Sequence, residues 1–216
     1  MMTDSHRQRG MRQKLVEELR SKGIKDERIL SAFNDIPRHY FLDKAFSDWA
    51  YKDVAFPIDA DQTISQPYTV AIQTTLLEVQ KGDKILEIGT GSGYQACVLA
   101  YLGAKVYTIE RQKKLFTKTD QFLRDIGFGH IRTLFGDGYE GAPRFAPFDK
   151  IILTAGAETV PEKLIAQLKP SGIMVIPLGD GKTQKMIRIS KNKEGALIKE
   201  NFGEFRFVPF LKGKVM

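Results

Sequence analysis

One cysteine, Cys97, and three histidines, His6, His39 and His130, are all that the chain offers a soft metal or a disulfide. A single thiol excludes an internal disulfide, and histidines so scattered give no recurring ligand spacing, so no metal is expected. Cys97, between Ala96 and Val98, reads as a small buried helix residue. No run of about 18 apolar residues occurs, and Met1 to Arg7 lead into a charged helical stretch without the apolar centre of a leader segment. Repeats and low-complexity tracts are lacking too. These absences point to a soluble, cytoplasmic protein with no membrane partner, and a monomer is expected. The 216 residues, 42% hydrophobic, suffice for one sizeable core. They read as a single domain overall, with 1–66 supplying N-terminal helices and a loop packed on a core of 67–216.

Negative charge is in deficit: 33 Lys and Arg stand against 26 Asp and Glu, a net charge of +7. A basic stripe would point to nucleic acid. Here nine basic residues against three glutamates lie between Lys182 and Met216, so that segment holds +6 of the total. They alternate with apolar residues, as in Met186-Ile187-Arg188-Ile189, which is the pattern of a solvated sheet face. No nucleic-acid partner is expected. An Asn/Asp-Pro-Pro-Tyr segment for base methylation is also missing, since Thr154-Ala155-Gly156-Ala157 stands in its place after the fourth strand of the core.

What is present centres on one stretch. Ile85, Leu86 and Ile88 lead into Gly89-Thr90-Gly91-Ser92-Gly93 and then into Tyr94 to Ala100, which reads as strand, tight turn and helix. Glycine lets a backbone approach a bulky ligand with no Cβ in the way, and the helix that follows aims unpaired N–H groups at it. The third glycine comes one place too early for the dinucleotide fingerprint, and Tyr94 stands where that pattern wants glycine. Val106 to Glu110 reads as a second strand ending in a carboxylate about 20 residues past the turn, where it can accept both hydroxyls of a ribose. With Glu87 two places before the first glycine, the E-x-G-x-G-x-G pattern resembles the first motif of the Rossmann-like methyltransferases that bind S-adenosylmethionine.

The rest of the chain fits an α/β frame. Residues 11–36 read as two short amphipathic helices parted at Gly23 and stopped by Pro37. An aromatic-rich stretch to Tyr51 is expected to be a lid or brace on the sheet. Phe56 to Tyr68 is a polar loop ending where Pro67 opens a helix. Strand 84–88, helix 93–102, strand 105–109, helix 112–126 and strand 131–135 then make a βαβαβ unit. A strand at 148–154, a helix at 161–168 and a strand at 173–177 extend it, and 184–190 with 196–208 form a closing antiparallel pair. The expected fold is α/β and Rossmann-like: a mostly parallel central sheet with helices on both faces and an N-terminal helical extension.

Seven segments together resemble the bacterial form of the protein-L-isoaspartate (D-aspartate) O-methyltransferase family. They are Ile36-Pro37-Arg38-His39, Asp61 to Tyr68, Glu87 to Gly93, Tyr107-Thr108-Ile109-Glu110, Gly136-Asp137-Gly138, Ala146-Pro147-Phe148-Asp149 and Phe207-Val208-Pro209. The glycine motif is common to many methyltransferases, whereas Thr63-Ile64-Ser65-Gln66-Pro67 and Val208-Pro209 are specific to this family. The resemblance implies S-adenosylmethionine as cofactor, with the methionine part on Gly89, Thr90, Gly91 and Gly93, the ribose on Glu110 beside Arg111, and the adenine at Asp137 and Gly138. Glu87 would order the turn or hold the cofactor's ammonium through water. Thr63 would touch cofactor and substrate, Ser65 would be the catalytic residue, and Gln66, Pro67, Val208 and Pro209 would line the peptide side. The implied partners are proteins and peptides containing isoaspartyl residues, D-aspartyl less well, methylated on the free α-carboxylate so that repair proceeds through a succinimide.

In-line attack of a carboxylate on a sulfonium methyl cancels opposite charges and needs no general base, because the nucleophile is already ionised. The protein's task is placement. Ser65 suits it, since its hydroxyl can donate to one carboxylate oxygen and leave the other to attack; the lesser alternative is a plain helix N-cap ahead of Pro67, a place that Gln66 can take instead. The sequence departs from the family pattern at Pro57-Ile58-Asp59-Ala60-Asp61-Gln62, where two aspartates replace the usual glycines. A positive φ at Asp59 or Asp61 and two added charges near a carboxylate substrate are the features in question there.

Overall fold

A computed structural model of the chain describes residues 4–216. Helix α1 (His6–Ser21) opens on a capping box in which the Ser5 hydroxyl accepts from the Gln8 N–H and the Gln8 side chain accepts from the Ser5 N–H. Its buried residues Leu15, Val16 and Leu19 share a core with Ile29, Leu30 and Phe33 of α2 (Glu27–Asp35), whose first turn Asp26 caps through the Arg28 N–H. Past Pro37, two 3-10 turns, Arg38–Phe41 and Lys44–Trp49, carry the aromatic brace. Phe41 meets both Tyr94 and Phe122 edge to face at 5.1 Å, so the brace rests on helices of the main body.

The hairpin β1 (Phe56–Pro57) and β2 (Thr63–Ile64) follows, then α3 (Pro67–Leu77), opened by Pro67 at the first helical position. The body comprises β3 (Lys84–Ile88), α4 (Tyr94–Tyr101), β4 (Lys105–Glu110), α5 (Lys113–Asp125), β5 (Arg132–Phe135), β6 (Phe148–Leu153), α6 (Glu162–Ala166), β7 (Leu168–Leu178), β8 (Gln184–Lys191) and β9 (Leu197–Phe205). The seven strands lie in the order β5-β4-β3-β6-β7-β8-β9, parallel from β5 through β7 and antiparallel beyond. Alternation along the strands divides the interior in two. Ile85, Val106, Ile152 and Val175 enter a core shared with α1 to α4, and Leu86, Ile88, Ile151 and Met174 enter a second one with Leu164 of α6.

Two local readings of the sequence are revised. Lys169-Pro170-Ser171-Gly172 looks like a break between helix and strand, yet it is a bulge inside β7. The register steps from Phe148↔Leu168 to Lys150↔Ile173 across it, with Ser171 at φ +61°. The helix before it is correspondingly short. The last strand also stops at Phe205 instead of 208, because the chain leaves the sheet there and turns back across the carboxyl ends of the parallel strands.

Candidate active site

The strand order reverses at β3, which sends the chain outward to β4 on one side and to β6 on the other, and a crevice opens at the carboxyl end of such a switch point. The glycine turn lies at its floor and is stitched from both sides. The Gly89 and Thr90 N–H groups donate to the Ile109 carbonyl at 2.9 and 3.2 Å, while the Thr154 hydroxyl donates to the Gly89 carbonyl at 2.7 Å. Gly89 has φ +99°, and a Cβ there would run into the Thr154 hydroxyl. Thr90 is 4% exposed and shares a 2.8 Å hydroxyl contact with Thr108. Gly93 behaves differently from the other two glycines. It caps α4, and a Cβ on it would come within 3.0 Å of Thr119 and Leu123 on α5, so it permits helix packing and does not line the cleft.

Three carboxylates occupy the strand ends. Glu110 accepts from the Gly91 N–H through Oε2 at 3.0 Å and from the Gln112 N–H through Oε1 at 2.9 Å, which bolts the turn to β4 and leaves each oxygen a further lone pair. Glu87 is fully buried beneath the turn. Its Oε2 accepts from the Thr108 hydroxyl, its Oε1 has no partner among the described residues, and burial pushes its carboxyl up to about 8. Asp137 does not line the cleft. Its two oxygens accept from the Tyr139 N–H at 2.9 Å and the Gly213 N–H at 2.8 Å, so the carboxylate holds a turn and the C-terminal tail. Gly138 does line it, and a Cβ there would meet Ile88 at 2.5 Å and Phe210 at 2.7 Å.

Two covers close the crevice into a cleft that stays open at its mouth. The first is the hairpin and the residues after it, which bring Gln62, Thr63, Ile64 and Ser65 over the glycine turn. The N-cap of α3 is Gln66, so Ser65 stands one residue before the helix and its hydroxyl makes no hydrogen bond among the described residues. Gln66 and Pro67 do not line the cleft, because the chain has already turned into α3 there. The second cover is the tail. Val208 and Phe210 pair with Gly156, the Phe210 ring stacks on Tyr139 at 4.0 Å, and Arg111 donates to the Lys212 and Gly213 carbonyls. Val208, Pro209, Phe210 and Leu211 therefore form a wall, joined by Arg111. Phe210, Leu211, Thr154, Ala155 and Gln95 are cleft residues that the sequence does not single out. Gln95 alone carries a local signal, as it lies two residues past Gly93, the last glycine of the turn.

The departing loop is a tight turn. Ala60 and Asp61 both take positive φ, +59° and +54°, and Asp59 does not. The strain expected at Asp59 or Asp61 thus falls on Asp61 and on the unremarked Ala60. Asp59 points away from the cleft toward α5, pairing with Lys118 at 2.6 Å, and that cation holds its carboxyl below the usual range.

An open α/β sheet with its crevice at this switch point is the architecture of the Rossmann-like methyltransferases, whose methyl donor is S-adenosylmethionine. The cleft fits that donor: Glu87 Oε1 is an orphaned buried acceptor suited to an ammonium, and Glu110 retains acceptor capacity for a diol. Residues 10–215 match the family profile described as Protein-L-isoaspartate(D-aspartate) O-methyltransferase, and the chain belongs to that family. The protein-L-isoaspartate O-methyltransferase of Christiangramia forsetii is 54% identical over 213 residues, 99% of this chain and 100% of that one. That of Flavobacterium johnsoniae is 55% identical over the same shares. A solved protein-L-isoaspartate O-methyltransferase superposes with a TM-score of 0.83 at 30% identity, covering 92% of this chain and 65% of that one.

Proposed function

We propose that the hydroxyl of Ser65 orients the free α-carboxylate of an L-isoaspartyl residue against a cofactor lying along Gly89–Gly91, with Thr63 beside it and Val208-Pro209 walling the peptide side. The activity is the S-adenosylmethionine-dependent carboxyl methylation of isoaspartyl and D-aspartyl residues in damaged proteins. When bound, the cofactor supplies an electrophilic methyl on a sulfonium. Glu110 would accept from the ribose hydroxyls, Glu87 would receive the ammonium, and the Phe210 and Leu211 wall would exclude water from the reacting groups.

The observation that carries the reading is Ser65 itself: the residue lines the cleft beside the glycine turn, and its hydroxyl bonds to no other described residue. Two neighbours of the same kind, Thr90 and Thr108, are already bonded to each other. A hydroxyl donating to a carboxylate is worth roughly 1.5–3 kcal/mol. Ser65→Ala should therefore bind S-adenosylhomocysteine normally and lose about 10- to 100-fold in kcat/KM for an isoaspartyl peptide. Unchanged turnover in that variant removes Ser65 from the mechanism.

A further inference from the structure

The Ile36-Pro37-Arg38-His39 segment is part of the family resemblance, yet it does not line the cleft. Its arginine is the largest wholly buried side chain among the described residues, at 0% exposure. A buried cation is expensive unless an anion meets it, and Arg38 makes no ion pair among the described residues. Its Nε donates to the Ala50 carbonyl at 3.1 Å, its Nη2 to the Ser65 carbonyl at 2.8 Å, and its Nη1 has no partner. The guanidinium lies 5.1 Å from the ring centre of Tyr94, the first residue of the helix that leaves the glycine turn. One side chain thus touches both walls of the cleft, the turn side through Tyr94 and the cover through Ser65.

The cover needs such an anchor. Pro67 has no N–H to donate, and Gln66, at the N-cap, accepts nothing with its side chain. Asp53 takes over that role from another segment, accepting from the Tyr68 N–H at 2.7 Å and from the Gln66 side chain at 3.0 Å. It fixes the far side of Ser65, and Arg38 fixes the near side. An apolar side chain in the same space would pack without the cost of desolvating a charge, so the hydrogen bond to the Ser65 carbonyl is what the arginine contributes that packing cannot.

We propose that Arg38 is a positioning residue for methyl transfer: by holding the Ser65 carbonyl it sets the Ser65 hydroxyl at its place beside the glycine turn. This rests on the reading of Ser65 given above.

The test is a double-mutant cycle of Arg38→Met with Ser65→Ala, read by steady-state kinetics on an isoaspartyl peptide and by calorimetry with S-adenosylhomocysteine. A misplaced reacting group commonly costs up to about 100-fold in rate, so Arg38→Met should lower kcat by about 10-fold or more while the peptide KM and the cofactor-product affinity stay within about 3-fold. Arg38→Lys, which keeps one donor, should recover part of the loss. In the Ser65→Ala background, Arg38→Met should cost no more than about 3-fold further, because the two residues act through one hydroxyl. Undiminished kcat in a folded Arg38→Met protein overturns the proposal, and so does an equal loss in both backgrounds. Should Arg38→Met fail to fold, the same cycle is read with Arg38→Lys, and failure of both to fold assigns Arg38 to the scaffold alone and overturns the proposal as well. A Ser65→Ala protein with full activity refutes the reading of Ser65 itself, which separates the two failures.

Discussion

Thr108 donates its hydroxyl hydrogen bond to Glu87 at 2.5 Å, directly beneath the glycine turn, and the other Glu87 oxygen has no partner among the described residues. Burial raises this carboxyl from 4.5 to about 8, the Thr108 bond works against the shift, and the charge of Glu110 adds to it. At neutral pH the group is therefore held as a protonated acid.

Linkage makes the stability of the fold depend on this proton. Between pH 4.5 and 8 the folded chain keeps a proton on Glu87 that the unfolded chain has lost, so this group's contribution is complete below 4.5, declines as pH rises toward 8 and is flat beyond. The slope is at most about 1.4 kcal/mol per pH unit. Glu87→Gln removes it, so the variant's thermal stability relative to the parent should rise between pH 5 and 8. Melting curves across that range check this, and a difference independent of pH contradicts it.

Cofactor binding should expel the proton. An ammonium beside Glu87 favours the carboxylate, so at pH 7 binding of S-adenosylhomocysteine should release nearly one proton, falling toward none at about pH 9. Calorimetry in buffers of different ionisation enthalpy measures the number. Zero release at pH 7 separates Glu87 from the ammonium.

The turn at Ala60-Asp61 predicts a gain. An L-residue with a side chain pays roughly 1 kcal/mol or more at positive φ, and Ala60 sits at +59°. Ala60→Gly should stabilise the protein by about 0.5–1 kcal/mol without loss of activity. Chemical denaturation checks it, and destabilisation would mean that the turn has another shape. Lys118→Ala, which breaks the exposed pair with Asp59, should cost no more than about 1 kcal/mol.

Asp137 ties the tail down. Asp137→Ala frees the Gly213 and Tyr139 N–H groups at once, a loss of about 2 kcal/mol or more for two hydrogen bonds to a charge. Hydrogen exchange should quicken at 211–215, and S-adenosylhomocysteine should bind more weakly because the Phe210–Leu211 wall loosens. Unaltered exchange there would deny the carboxylate that role.

The sheet is legible in the sequence because its causes are local. Apolar runs at 84–88 and 148–153, stops at Gly103 and Gly127, and Pro67 at a helix start all act within a few residues. The glycine turn and Glu110 are legible from spacing for the same reason. Gly93 shares that spacing with Gly89 and Gly91, but only the packing of Thr119 and Leu123 reveals that it faces a helix. Gly136-Asp137-Gly138 reads equally as turn or ligand until the Asp137 carboxylate is seen to lie outside the cleft and to hold the Gly213 N–H, 76 residues away. The tail wall has no periodicity at all. Phe210 and Leu211 reach the cleft through pairing with Gly156 and stacking on Tyr139, both long-range contacts. Arg38 stands out in the sequence only by resemblance, since an arginine after a proline carries no sign that it will be buried beneath a serine 27 residues on.

The most direct measurement is transfer of labelled methyl from S-adenosylmethionine to two peptides that differ only in one residue, isoaspartyl in one and normal aspartyl in the other. The expected result is base-labile label on the isoaspartyl peptide, strongly reduced by Ser65→Ala while S-adenosylhomocysteine still binds. Equal labelling of both peptides, or of neither by a protein that binds the cofactor product, would contradict a cleft whose serine selects a misplaced backbone carboxylate.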